Sequence, residues 1–309
     1  MPKPANRPGA AAVGSRPSYA VVYVRPETNN VLYERAIVAA VRKQGQLVYL
    51  ANLNGAIFQR DRILERHYSS QFRFARNPRG ELARYPVIAD RVTRHFNQSL
   101  DAVPLIGSFD AVDNLSVPPD ELFGTILSDA DFLNCYGQEF KRIGDHIVVN
   151  PHLPAIVRRY TPQSNVFTLV VRLMDRSARA FEALNHAIYV QVTASQDTPV
   201  LDEARLQFLD WSQRIRRTYH VSSNHLMAAF DMSDLVYVGD AEHLDIARTP
   251  LGRWLVDRGA ISAERLRELQ DAHLAYIGQD RVLEYLPRFS GASDPDRIAA
   301  MVSGPLSLS

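Results

Sequence analysis

A strand–helix–strand pattern near the start of the chain constrains the fold more than any other stretch of the sequence. Tyr19–Val24 is a short apolar run rich in β-branched residues, which is typical of a buried strand. Asn30 is suited to cap a helix over Val31–Gln44, and Gly45 then ends it. Gln46–Leu50 is a second apolar run of strand length. The pattern predicts a right-handed crossover between two strands of one sheet.

A second unit of the same kind follows a predicted hairpin. The hairpin consists of Glu139–Arg142 and His146–Val149, with a Gly-Asp turn between them. Asn165–Leu173 is then predicted as a strand, Ser177–Asn185 as a helix and Ile188–Val192 as a strand. A hairpin joined to a crossover unit favours a mixed sheet over a purely parallel one. We therefore predict an α+β fold built as a mixed-sheet sandwich.

Beyond Thr193 the pattern becomes mainly helical. Apolar residues at steps of three and four predict an amphipathic helix over Leu201–Thr218. A lone strand is predicted at Leu235–Val238, and further helices at Pro250–Arg258, Ser262–Ile277 and Asp280–Leu286. The predicted organisation is a disordered tail (1–18), an α+β domain (19–195), a mainly helical region (196–290) and a frayed tail (291–309).

Composition excludes several classes of protein. The chain has 35 basic and 34 acidic residues, and a net charge of +1 argues against extended nucleic-acid binding. No apolar run reaches the roughly 20 residues that a membrane-spanning helix needs, and no secretory segment follows Met1, so we expect a cytoplasmic protein. Cys135 is the single cysteine, which excludes intrachain disulfides and cysteine-based zinc sites.

The near-neutral total conceals two oppositely charged stretches. Gln59–Arg94 has nine Arg and four acidic residues, whereas His95–Phe140 has eight acidic residues and neither Lys nor Arg. The arginines, Arg60 and Arg66 among them, alternate with aromatic residues, and this mixture suits phosphates and stacked rings. The stretch predicts a local phosphate site. A solvated helical face, neutralised by salt bridges to the acidic stretch, is the alternative.

The motifs of common catalytic, metal and phosphate sites are absent from the sequence. It contains no G-x-x-x-x-G-K-[ST], G-x-G-x-x-G, H-E-x-x-H or G-x-S-x-G. His220 and His225 are too far apart to share one helical face, and His243 lies in an acidic segment that reads best as a solvated turn. We therefore predict no metal site, and the cofactor is left unassigned.

The first quarter of the chain resembles the nucleoside-diphosphate kinase family. The resemblance covers residues 19–74 and rests on short motifs: Val21–Val24, Arg25-Pro26-Glu27, Gly45, Leu47–Leu50, Glu65-Arg66-His67-Tyr68, Phe72 and Phe74. By this resemblance Arg25 would meet a phosphate, Tyr68 would lie beside the nucleotide, and Phe72 or Phe74 would stack on the base. The resemblance also implies a ferredoxin-like βαβ opening of the fold.

The chain departs from that family at the nucleophile. The family carries its phosphorylated histidine in Asn-x-x-His-Gly-Ser-Asp, and two segments here resemble the end of that motif. Ile106 stands in the histidine position of one, and Thr193 in that of the other. Neither side chain can replace an imidazole that becomes phosphorylated, so kinase activity of the family type is not expected.

Asn54, Asp110 and Asp113 are further candidates because they follow predicted strands. Asp110 and Asp113 follow the predicted strand Pro104–Phe109. If this strand is parallel to the first two, Arg25, Asn54 and Asp110 lie on one sheet edge, where ligands bind in open parallel sheets. Simple turn and capping roles are the alternative for the two aspartates.

Residues 250–273 partly resemble the helical N-terminal module of type II secretion ATPases. The resemblance rests on Leu251-Gly252, Leu255-Val256, Gly259, Ile261-Ser262 and Leu266. Pro250 and His273 depart from the pattern of members that bind a cyclic dinucleotide. The resemblance implies a small interaction module without that ligand.

Together these patterns predict a cytoplasmic regulatory protein that responds to a nucleotide or phosphate without turnover. The ligand-binding candidates are Arg25, Asn54, Arg60, Arg66, Tyr68, Phe74 and Asp110. Two alternatives stay open. One is a phosphotransferase or phosphohydrolase that uses Asp110, Asp113 or His152, and the other is a scaffold that binds a protein partner through residues 197–290.

Overall fold

The computed structural model of the chain describes residues 18–125, 127–175, 177, 179–194, 218–239 and 242–308. The first half contains β1 (Tyr19–Val24), α1 (Val31–Gln44), β2 (Gly45–Asn54), α2 (Gly55–Arg60), α3 (Ile63–His67), α4 (Ser69–Arg76), α5 (Pro78–Arg84), α6 (Pro86–Phe96), β3 (Leu105–Gly107), α7 (Ser108–Asn114), α8 (Pro119–Gly124), β4 (Phe132–Cys135), β5 (Gln138–Ile143) and β6 (His146–Val149). The second half contains α9 (Leu153–Val157), β7 (Asn165–Leu173), α10 (Ala180–Thr193), β8 (Tyr219–Val221), α11 (His225–Leu235), α12 (Pro250–Asp257), α13 (Ala263–Ala272), β9 (Leu274–Ile277), β10 (Val282–Tyr285), α14 (Pro295–Ser303) and β11 (Leu306–Ser307).

The predicted α+β class is confirmed, with both parallel and antiparallel strand pairs. The main sheet has the order β2-β7-β1-β8, and every neighbouring pair in it is antiparallel. β1 and β2, the strands that flank α1, are thus separated by β7, and the connectivity is that of a split β-α-β motif. A second sheet has the order β3-β6-β5-β4, with β3 parallel to β6, and a third has the order β10-β9-β11.

Local sequence signals explain how α1 begins and ends between β1 and β2. Asn30 caps α1 by accepting a hydrogen bond from the backbone N–H of Tyr33 at 2.9 Å, and the helix ends at Gln44. Gly45 then pairs with Leu173, where an added Cβ would lie 2.3 Å from the carbonyl oxygen of Arg172. The close approach of β7 therefore requires a glycine at the point where α1 gives way to β2.

Both faces of β1 are covered, whereas the edge strand β2 leaves alternate side chains, such as Val48 and Leu50, exposed. On one face α1 and α10 pack against the side chains of Val22 and Val24 in a shared core. On the other face Val21 and Tyr23 pack with residues of α2, α3, α4 and α11. β1 is consequently buried on both sides, and α11 is buried along its whole length.

Several predicted elements are corrected by the structure. The predicted strand Ile188–Val192 is wrong, because α10 continues to Thr193 and buries Ile188 and Val192 one helical turn apart. The predicted strand at Leu235–Val238 is reduced to a single antiparallel bridge between Tyr237 and His243, since Leu235 ends the buried helix α11.

The C-terminal part contains more strand than the sequence pattern indicated. The stretch predicted as one helix over Ser262–Ile277 is α13 followed by β9, and His273 between them has a left-handed φ of 55°. The stretch predicted as a helix over Asp280–Leu286 contains β10. Where a frayed tail was predicted, Pro295–Ser303 form α14. The predicted helix Leu201–Thr218 lies outside the described residues, apart from Thr218, and so does nearly all of the predicted tail 1–18.

The predicted sheet edge that would join Arg25, Asn54 and Asp110 does not form. β3 belongs to the second sheet, not to the sheet of β1 and β2. The stretch after it is the helix α7, and Asp110 lies exposed in its first turn. In the described part of the chain, no helix is long and apolar enough to cross a membrane.

Candidate functional site

An open groove of about 230 Å³ lies beside the main sheet, on the side covered by α2, α3 and α4. This volume is below the range typical of small-molecule sites, about 300–1,000 Å³. The lining residues come from α2–α4 and the turn after α2, from α7, and from α9 with the segment that follows it: Phe58, Gln59, Arg62, Leu64, Glu65, Phe72, Arg76, Phe109, Val157 and Tyr160. Aromatic rings and guanidinium groups are therefore combined in one concave surface.

The charged side chains of the groove are organised around Glu65. Arg76 donates to both oxygens of the Glu65 carboxylate, at 2.7 and 3.3 Å, and Arg62 Nε donates to Oε2 at 2.7 Å. Burial alone raises the pKa of the Glu65 carboxyl, but the hydrogen bonds from Arg76 and Arg62 bring it below its ordinary value. With two arginines and one glutamate, the lining carries one net positive charge.

The aromatic rings of the groove hold Arg76 in position. Its guanidinium carbon lies 5.4 Å from the centre of the Phe72 ring and 5.9 Å from that of Phe109. The rings of Phe72 and Phe109 are themselves 5.6 Å apart. Half of the Arg76 side chain is still exposed, at 50%, so a ligand in the groove can reach its free N–H donors.

A smaller cleft adjoins the groove and brings two of the predicted residues together. Arg25 and Tyr68 both line it, with Glu27, Ile156, Arg159 and Tyr160. Tyr160 also lines the groove, and its ring is 4.6 Å from the ring of Phe58. The side chains of Glu27 and Arg159 form an ion pair in this cleft. Arg25 and Tyr68 are thus close to the groove, as a shared ligand site would require.

Other predicted residues have structural roles away from the groove. Asn54 caps α2 by accepting from the backbone N–H of Ala56 at 2.9 Å. Arg60 forms a two-pronged pair with Asp61, at 2.7 and 2.8 Å. Phe74 is fully buried beside Tyr85, where its ring cannot stack on a ligand, because that core excludes solvent.

Arg66 faces a second group of side chains, which the sequence did not predict. This buried cluster consists of His67 on α3, His220 on β8, and Asp231 and Asp234 on α11. Arg66 lies 3.6 Å from the Asp234 carboxylate and 3.0 Å from His243 Nδ1. Burial alone lowers the pKa of the His67 imidazole, but the neighbouring carboxylate of Asp234 and the charges of Tyr68 and Asp231 raise it to about 9.

The two sites had different signals in the sequence. The alternation of arginine with aromatic residues pointed to the groove through Arg62, Phe72 and Arg76, but Phe109 and Tyr160 come from distant segments without such a pattern. Two members of the buried cluster, His67 and His220, are more than 150 residues apart in the sequence, so no local motif joins them. Only the i, i+3 spacing of Asp231 and Asp234 on a mainly apolar helix could have indicated it.

Comparison of the chain with protein-family models, with curated proteins and with solved structures found no match. Function is therefore inferred from the geometry of these two sites.

Proposed function

We propose that this protein is a regulatory protein that binds a nucleotide-like ligand, with a phosphate and a planar ring, in the groove beside α3 and α4. The observation that carries the proposal is the placement of Arg62 and Arg76 beside the rings of Phe58, Phe72 and Phe109 in one open groove. Arginine presents a planar set of donors that matches phosphate oxygens, and aromatic rings provide stacking surfaces for a base.

The Glu65 carboxylate would compete with a ligand phosphate for the arginines of the groove. In the free protein its carboxylate accepts the hydrogen bonds of Arg76 and Arg62 that a phosphate would otherwise accept. A ligand must replace part of this pairing, which lowers its affinity. Such a balance suits a protein that responds to changes in ligand concentration rather than holding the ligand permanently.

Binding without turnover is the form of the proposal that the sequence favours, because the family-type histidine nucleophile is missing. The cytoplasmic location expected from the sequence is part of the same proposal, and cell fractionation tests it. The adjoining cleft has space for about one water molecule, and its Arg25 and Arg159, partly neutralised by Glu27, add positive charge beside the groove.

Isothermal titration of the full chain with a panel of nucleoside di- and triphosphates, and with inorganic phosphate alone, tests the proposal. We expect one-to-one binding of at least one nucleotide. Arg76→Gln should weaken it about tenfold or more, since a charge-assisted hydrogen bond contributes about 1.5–3 kcal/mol.

Arg94→Gln is the matched control, because Arg94 is exposed on α6 and paired with Asp90 at 2.5 Å, outside the groove. Absence of heat with every nucleotide at high protein concentration contradicts the proposal. Turnover of labelled ATP that disappears in Asp110→Ala would instead favour the enzyme alternative.

A further inference from the structure

The buried cluster of His67, His220, Asp231 and Asp234 lies between the main sheet and α11, separate from the groove. His67 ends α3, His220 is the middle residue of β8, and the two aspartates lie one turn apart on α11. Both aspartate side chains are fully buried, and the His67 side chain is 5% exposed. A buried carboxylate without a counter-charge or hydrogen bonds lowers the free energy of unfolding, so the arrangement requires a physical explanation.

Three side-chain atoms in the cluster are buried and have no hydrogen-bond partner among the described residues: His67 Nδ1, Asp231 Oδ1 and Asp234 Oδ2. Both unpaired carboxylate oxygens lie near the unpaired imidazole nitrogen. His67 Nδ1 is 3.5 Å from Asp231 Oδ1 and 3.4 Å from Asp234 Oδ2. Nearly all buried polar atoms in proteins have a partner, so three unpaired atoms at one point indicate a missing one.

The other oxygen of each aspartate is firmly held. Asp231 Oδ2 accepts hydrogen bonds from His220 Nε2 at 2.8 Å and from Ser222 Oγ at 2.6 Å. Asp234 Oδ1 accepts one from Gln270 Nε2 at 3.0 Å. Outer groups that orient carboxylates in this way, leaving one oxygen free, are typical of metal sites.

The distances between the unpaired atoms also suit a metal ion. Zinc lies about 2.1 Å from nitrogen and oxygen ligands, and two ligands at the corners of a tetrahedron of that size are about 3.4 Å apart. The separations of 3.4 and 3.5 Å are too long for good hydrogen bonds and match this edge. The available ligand atoms of His67, His220 and Asp231 all lie within 4.8 Å of one another, so His220 is also within reach of the ion.

We propose that the cluster binds one divalent transition-metal ion of the zinc class, with His67, Asp231 and Asp234 as ligands and His220 beside it. Imidazole nitrogen and carboxylate oxygen are ordinary ligands of such ions. The Tyr23 ring is stacked on His220, 4.7 Å between centres and 18° between planes, and its edge meets His67 at 5.9 Å. Tyr23 therefore fixes the planes of both imidazoles. His220, whose side chain is 20% exposed, gives the ion a route from solvent.

The competing explanation is that a proton, not a metal, occupies the centre. A protonated His67 would then lie between two carboxylates, and no ion would be required. Metal binding needs the neutral imidazole, so the two explanations exclude each other at any one moment.

The test uses the full-length protein after dialysis against a chelator, titrated calorimetrically with Zn²⁺ alone. We expect one ion per chain for the wild type. His67→Gln and Asp231→Asn should each weaken binding about a hundredfold, because each removes a ligand. Ser222→Ala, which removes a positioning hydrogen bond, should weaken it about tenfold.

Matched controls lie close by. His225→Gln removes a buried histidine of α11, whose ring is 4.9 Å from the Phe181 ring. Asp245→Asn removes an aspartate paired with Arg267 at 2.7 Å. Both should leave the affinity for Zn²⁺ within twofold of the wild type. Circular dichroism spectra establish whether each variant is folded.

A ligand exchange keeps the proposal testable if the loss variants do not fold. His67→Cys supplies a thiolate at the same corner, so Co²⁺ added to this variant should give a thiolate-to-cobalt charge-transfer band that the wild type lacks. Absence of Zn²⁺ binding to the wild type overturns the proposal and favours the proton. Binding that persists at full strength in folded His67→Gln also overturns it, because the ion then lies elsewhere.

Discussion

Arg76 Nη2 donates a hydrogen bond to Glu65 Oε1 at 2.7 Å along the wall of the groove. This pair connects α3 with α4 and uses donors that a phosphate ligand would need. Glu65→Gln should therefore raise the affinity for a nucleotide about fivefold, because it removes one negative charge at a distance where the repulsion is worth about 1 kcal/mol. Isothermal titration at two salt concentrations measures the change, which should shrink at high salt.

Glu268→Gln is the control for that prediction. Glu268 forms a comparable surface pair with Arg265 at 2.5 Å on α13. Its loss should not alter nucleotide affinity. An unchanged or weaker affinity in Glu65→Gln would show that the two arginines are not the phosphate-binding groups.

Gly107 should not tolerate alanine. A Cβ at this position would lie 1.9 Å from the carbonyl oxygen of Ala75, which is backbone and cannot move aside cheaply. Gly107→Ala should lower the free energy of unfolding by about 2 kcal/mol or more, and the displaced α7 should carry Phe109 away from the groove. Urea denaturation measures the first effect and ligand titration the second. Gly239→Ala, where a Cβ meets no atom within 4 Å, should change stability by less than about 0.5 kcal/mol.

Ser222 links β1 to α11 through one hydroxyl group. The backbone N–H of Val21 donates to Ser222 Oγ at 2.9 Å, and Oγ donates to Asp231 Oδ2 at 2.6 Å. Ser222→Ala leaves a buried N–H unpaired and should cost about 1–3 kcal/mol of unfolding free energy in chemical denaturation. Ser222→Thr keeps the hydroxyl and should recover most of the loss. Equal destabilisation by Ala and Thr would mean that packing, not the hydroxyl, matters.

His225 should make the protein less stable in mild acid. Burial lowers the pKa of its imidazole to about 4, although the charge of Asp294 opposes the shift, whereas the unfolded chain has a histidine pKa of about 6.5. Its contribution is therefore complete above about pH 6.5 and is lost as the pH falls towards 4, with a slope of at most about 1.4 kcal/mol per pH unit. Denaturation midpoints between pH 7.5 and 4.5 measure this slope.

In His225→Gln that part of the pH dependence should disappear. His186→Gln, at an exposed position of α10, should leave the slope unchanged. If both variants keep the wild-type slope, other groups cause the acid sensitivity.

Sequence patterns predicted the elements that have strong local signals. β1, α1 and β7 occupy the predicted ranges, because Asn30 caps α1, Gly45 ends it, and the strands are β-branched apolar runs. The hairpin of β5 and β6 was predicted for similar reasons, and the structure confirms it.

The elements that were predicted wrongly are those whose secondary structure depends on tertiary packing. The β-branched residues near the end of α10 resemble a strand, but Ile188 and Val192 pack against the sheet from a helix. α11 has no polar face, so it lacks the helical period that sequence analysis detects.

The groove was predicted only where its residues are neighbours in the chain, and the buried cluster forms only when β8 and α11 pack against α3.

The burial of β1 on both faces has a consequence for synthesis of the chain. Its partners β7 and β8 begin at Asn165 and Tyr219, so the ribosome must add about 140 residues after Val24 before the first partner strand starts. At about 5–20 residues per second this delay is roughly 7–30 s. A strand that is buried on both faces in the finished protein is thus without a partner strand for this time in the nascent chain, and a chaperone could act on it there.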